Sequence, residues 1–233
     1  MTPMSAVPRK APPAPSPVQR LLLHPLAKPV LFVLCGLPFL WLLYAAFTDH
    51  LGANPQEALV RRLGDWTLRG LCATLAITPL RQITGWHALA RFRRMLGVYS
   101  AFYVTLHFLA YAGFDKGFAW ADILKDVGKR PFILVGTAAF LLMLPLAATS
   151  FNRAIKALGA RRWQALHKSV YVIVLLGLLH FFWMRAAKHN FAEVAVYAVI
   201  IALLLGWRVV KALAPKERIK TWRTPRGADL IGR

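Results

Sequence analysis

Acidic side chains are scarce in this sequence. Nine Asp and Glu stand against thirty Lys and Arg in 233 residues, a formal net charge of +21. So basic a chain has two usual partners, nucleic acid and a membrane surface. Cysteine is scarcer still. Cys35 and Cys72 both lie inside apolar runs and read as small core residues, with nothing to suggest a disulfide framework or a zinc site. There is no GxGxxG and no P-loop, so no soluble flavin or nicotinamide domain is expected. No internal repeat is present either.

What the chain has instead is hydrocarbon. Hydrophobic residues make up 58% of it and the mean hydropathy is +0.48, where soluble domains sit near about 45–50% apolar. A basic nucleic-acid binder would need polar faces on its helices, and these runs have none, so the membrane is the partner and nucleic acid is not. A span needs about 20 apolar residues. Six candidates emerge: Pro29–Phe47, Trp66–Leu80, Met95–Gly113, Pro131–Ala148, Ala165–Met184 and Phe191–Val210. The second is short and carries Arg69; without it five spans would remain. The run from Pro29 is longer than a signal-peptide core and no small-residue cleavage site follows it, so it is expected to stay.

Lysine and arginine set the orientation. With a cytoplasmic N-terminus, 21 of the 30 basic residues fall on the cytoplasmic side and seven of the nine acids on the other. The expectation is an all-α integral membrane protein, a six-helix bundle with both termini cytoplasmic. Residues 1–28, with "APPAPSPVQ", are expected as a disordered tail. Residues 29–210 form the membrane domain, and 211–233 a basic tail suited to anionic lipid headgroups.

Seven histidines are present. His24, His50, His87 and His189 fall in tails, loops or helix ends, where a solvated imidazole is unremarkable. His107, His167 and His180 fall within expected spans, where an ionisable group is costly and points to function. At about 1.5 Å per residue, His107 lies roughly 18 Å along its helix and His180 roughly 22 Å, both in the outer half. His167 lies only about 3 Å in, level with Arg93 and Arg94. Two imidazoles at one depth on two helices can hold one haem iron between them. Ser100 and Gly97 below His107, and Gly177 before His180, are expected to leave room for the porphyrin. The plainer alternative is that each histidine hydrogen-bonds a neighbouring carbonyl or tyrosine. His167 and His180 are about 3.6 turns apart and do not chelate one ion.

The stretches "LGVYSAFYVTLHFLAY" and "RRWQALHKSVYVIVLLGLLHFFW", with "CATLAITPLR" and "KRPFILVG", resemble the ferric-reductase-like transmembrane superfamily. Within it the chain is similar to the haem-binding membrane subunits of the bacterial periplasmic methionine sulfoxide reductase system, the MsrQ (YedZ) family. That resemblance implies a multi-pass inner-membrane protein with haem b and flavin mononucleotide (FMN) as cofactors. It implies electrons taken from the membrane quinone pool and passed to a periplasmic molybdopterin-containing reductase that repairs oxidised methionines, so that substrate reduction falls to the partner. The family's haem histidines map to His107, His167 and His180. Superfamily members carry two histidines on each of two helices, and the position matching the fourth is Arg93. Arg93 then either pairs with a haem propionate or flavin phosphate, or is an interfacial arginine beside Arg91 and Arg94. Two other readings are a cytochrome b-type metal reductase and, from another class, a small proton-coupled transporter with relay histidines.

Overall fold

A computed structural model describes residues 16–186 and 191–214. His189, residues 1–15 of the expected N-terminal tail and 215–233 of the C-terminal tail lie outside them. Among the described residues the protein is all-helical, with nine α-helices: α1 Pro17–Leu23, α2 Ala27–Phe47, α3 Pro55–Thr84, α4 Arg93–Ala110, α5 Trp120–Lys129, α6 Pro131–Ala148, α7 Asn152–His167, α8 Val170–Ala186 and α9 Ala192–Leu213. Five segments are long and apolar enough to cross a membrane: Ala27–Phe47, His87–Asp115, Pro131–Ala148, Asn152–Ala186 and Ala192–Leu213.

The segment expected as the second span is the main departure. It runs over Pro55–Thr84, 30 residues, far beyond Trp66–Leu80. Asn54 starts it, its side chain accepting from the Glu57 N–H with Pro55 at the first helical position, and Gly85 ends it at φ 73°. Glu57, Arg61, Arg62 and Asp65 fill its first turns and hide it from a hydropathy scan. Helix α3 buries nine side chains, more than any other helix, and packs chiefly on α4. Its Arg69 is accommodated by donating from Nε to the Tyr197 hydroxyl of α9 at 3.1 Å.

Gly97 and Ser100 serve this α3–α4 contact rather than the porphyrin. Ser100 is wholly buried, and a Cβ on Gly70 would lie 2.5 Å from its Oγ; Gly97 faces Thr74. Small side chains here let the two helices approach closely. Helix α2 is apolar all round, as a lipid-facing span is. Pro38 lies inside it, and Tyr103 of α4 fills the place where the ladder opens beside the proline. The Tyr103 hydroxyl accepts from Phe39 N–H at 3.2 Å and donates to the Cys35 carbonyl at 2.7 Å, standing between two groups that would otherwise bond each other.

Two further expectations are corrected. Residues 16–28 are not free of helix, since α1 occupies Pro17–Leu23, capped by the Ser16 side chain. The segment Ala165–Met184 is not one helix either. It breaks at Lys168 and Ser169, so His167 ends α7 whereas His180 belongs to α8.

Candidate haem site

The bundle encloses a cavity of about 480 Å³ lined by α3, α4, α6 and α8. Its walls are largely apolar, with Leu68, Phe108, Phe140 and Ile173 among them. A cavity of this size holds a sizeable flat cofactor. His107 of α4 and His180 of α8 both line it, with ring centroids 6.1 Å apart and ring planes at 84°.

Each imidazole sits in a seat made by a helix other than its own. The Nδ1 of His107 lies 2.8 Å from the Val60 carbonyl of α3, and the Nδ1 of His180 lies 2.6 Å from the Phe132 carbonyl of α6. A carbonyl can only accept, so Nδ1 carries the proton on both rings. A neutral imidazole protonated there keeps its lone pair on Nε2. One turn after each carbonyl stands a glycine. A Cβ on Gly64 would lie 3.2 Å from the His107 ring, and one on Gly136 only 2.7 Å from His180 Nδ1. Carbonyl and glycine four residues apart on one helix thus form the same seat twice, Val60 with Gly64 and Phe132 with Gly136.

These residues fit a haem iron. Two metal–nitrogen bonds of about 2.0 Å on opposite faces, with each ring centroid about 1 Å behind its nitrogen, set such rings about 6 Å apart. Second-residue hydrogen bonds from Nδ1 to a carbonyl are what metal-bound histidines ordinarily make. The carbonyl-bonded alternative raised by the sequence therefore describes the same geometry as the ligand reading. The seats themselves left no mark in the sequence beyond two glycines among fifteen. Gly177 lines the cavity as expected.

His167 stands apart from this pair and does not line the cavity. Its Nδ1 is 3.0 Å from the Trp163 carbonyl, its ring stacks on Trp163 at 3.9 Å, and the Leu146 backbone is also within its reach. Arg93 is exposed at the start of α4, close enough for its charge to act on His167. Among the described residues no three His, Cys, Asp or Glu side chains converge on a common point.

The family described as "Ferric reductase like transmembrane component" matches residues 63–178, which take in α4, α6, most of α3 and the first half of α8, with His107 and His167, and end just short of His180. A protein of Polaromonas naphthalenivorans, named protein-methionine-sulfoxide reductase heme-binding subunit MsrQ, is 69% identical over 200 residues, 86% of this chain and 91% of its own. Proteins of the same name from Ralstonia nicotianae and Herminiimonas arsenicoxydans are 55% and 51% identical, covering 76% and 88% of this chain and 82% and 92% of theirs. No solved structure matches the chain.

Proposed function

The chain belongs to the ferric-reductase-like transmembrane family and, within it, to the MsrQ haem-binding subunits, and from that premise we propose that it is the b-haem electron-transfer subunit of a periplasmic methionine sulfoxide reductase system. It is a multi-pass protein of the bacterial inner membrane. The observation that carries the reading is the facing pair His107 and His180, each with Nδ1 bonded to a carbonyl and Nε2 left for a metal.

A b haem supplies a one-electron store whose potential is set by its axial ligands and surroundings. The rest falls to the protein. His107 and His180 would hold the haem iron through their free Nε2 atoms. Val60 and Phe132 fix their tautomer and ring direction and raise their basicity. Leu68, Phe108, Phe140 and Ile173 keep water from the site. His167, and Arg93 whose charge reaches it, are assigned to the cytoplasmic half of the path. A quinone donor, FMN as second cofactor and a molybdopterin-containing acceptor follow from the family resemblance.

Residues 29–210 are taken as the membrane domain, with α3 as a sixth span and both termini cytoplasmic. The placing of 21 of the 30 basic residues supports this arrangement. A reporter fused after Arg233 should then be active only in the cytoplasm; periplasmic activity would overturn the topology. The function is tested by the haem-to-protein ratio and the reduced-minus-oxidised spectrum of purified protein. At least one low-spin haem per chain is expected. Colourless protein from haem-replete cells would sink the reading and favour the transporter.

A further inference from the structure

Two histidines fix where an iron sits and the plane of its macrocycle, but they leave rotation about the axis through both imidazoles open. Haem is an apolar disc with two carboxylate side chains on one edge, so a site must also choose where that edge points. The lining of the cavity contains only two cationic side chains among the described residues, Arg61 and Arg130. Each stands beside one histidine seat. Arg61 follows Val60, whose carbonyl holds His107; Arg130 comes two residues before Phe132, whose carbonyl holds His180.

Both arginines are steadied by an acid four residues earlier in the chain. Arg61 pairs with Glu57. Arg130 approaches Asp126 through Nε at 3.6 Å. Asp126 is itself shared, since Lys116 lies 2.6 Å away and the Tyr111 hydroxyl donates to it at 3.1 Å. The Arg130 guanidinium, 55% exposed, is therefore held loosely and keeps most of its donors for another anion. Glu57, Asp65 and Asp115 share the lining and would repel a carboxylate, which leaves the two guanidiniums as its only ionic partners there.

We propose that Arg61 and Arg130 each bind one haem propionate, and that this pair sets the rotation of the haem about its two axial histidines. The inference rests on the haem reading above. Arginine suits the task because its planar fork meets a carboxylate with two parallel hydrogen bonds. The propionate edge then faces the end of the bundle that carries Asn54 and Arg130.

The test compares protohaem with its dimethyl ester, whose propionates cannot ionise. Both are titrated into haem-depleted, detergent-solubilised full chain and followed by the Soret band. Wild type should bind protohaem at least about tenfold more tightly than the ester, the scale of charge-assisted bonding. Arg61→Gln and Arg130→Gln should each shrink that ratio several-fold, and the double variant should bring it to about one. A defect in packing alone would weaken both ligands alike and leave the ratio standing. The midpoint potential gives a second readout. It should fall in each Gln variant, because a positive charge at the haem edge favours the added electron, and recover in Arg→Lys. Equal binding of acid and ester by wild type, or an undiminished ratio in the double variant, would overturn the propionate assignment and leave the haem reading intact. Failure of wild type to bind either compound would overturn both.

Discussion

Arg208 of α9 donates from Nη2 to the Leu75 carbonyl of α3 at 2.5 Å. Leu75 needs this donor because the residue four positions on is Pro79, which has no N–H to give. The same guanidinium caps Leu204 in its own helix and lies over the Tyr171 ring. A proline break in the most buried helix is thus satisfied by a charge from its neighbour. Arg208→Met should destabilise the protein by about 1–3 kcal/mol, the cost of a buried acceptor left unpaired. Thermal denaturation followed in detergent would measure it, with the Soret position unchanged. The mechanism has its own check: Pro79→Ala restores an N–H to Leu75, so it should offset much of the loss in the Arg208→Met background. Strict additivity of the two changes would show that the carbonyl is not the link.

The histidine seats make a ranked prediction. A methyl on Gly136 would meet His180 Nδ1 at 2.7 Å, one on Gly64 would meet the His107 ring at 3.2 Å, and one on Gly97 would meet only Thr74 at 3.9 Å. Overpacking of this kind costs about 1–3 kcal/mol. Gly136→Ala should therefore lose haem most, about tenfold or more in occupancy, Gly64→Ala less, and Gly97→Ala little. The haem-to-protein ratio of the three variants checks the order, and a Gly97→Ala defect as large as that of Gly136→Ala would refute it.

What the sequence disclosed and what it withheld divide along one physical line. Features that depend on a residue's own polarity were legible. The span Pro131–Ala148 coincides with α6, and the depths of His107 and His180 anticipated two facing rings. Features that depend on a neighbour were not. Charged residues shortened α3 on paper because nothing in a hydropathy scan reveals that Arg61 pairs with Glu57 or that Arg62 lies over the Trp41 ring. The break at Lys168 and Ser169 carries no proline or glycine. The seats are built from carbonyls, which every residue has, so only the packing of α3 on α4 and α6 on α8 reveals which ones matter.

Asp126 gives a prediction in pH. It is nearly buried at the foot of α5, outside the candidate spans. The Lys116 ammonium beside it, with help from the Tyr111 hydroxyl and Arg130, holds its carboxyl below the usual carboxylate range. A carboxyl depressed in the folded state stabilises the fold fully above its unfolded value of about 3.9. That contribution disappears as pH falls through the lower folded value. The network should thus be intact from neutral pH down to about 4.5 and weaken below about 4. Asp126→Asn should lower the melting temperature at pH 7 and lose part of the acid-side slope. A slope identical to wild type between pH 3 and 5 would show that this carboxyl does not contribute.

The sharpest prediction separates the three half-buried histidines His107, His167 and His180. His107 and His180 face each other across 6.1 Å, and each has Nδ1 on a carbonyl, so each has one nitrogen for a shared iron. Low-spin iron with two histidines needs both. His107→Gly or His180→Gly should therefore abolish the low-spin spectrum or turn it high-spin. His167 lies outside the cavity, stacked on Trp163, so His167→Gly should spare that signal and affect only a second haem or electron uptake from the cytoplasmic side. Loss of signal could also follow from failed assembly, and free imidazole resolves the two. Each glycine variant leaves a hole the size of the missing ring, and imidazole in the buffer should enter it and restore the low-spin bands in the first two variants. The assignment would be wrong if imidazole restored neither, or if His167→Gly removed the low-spin signal while His180→Gly kept it.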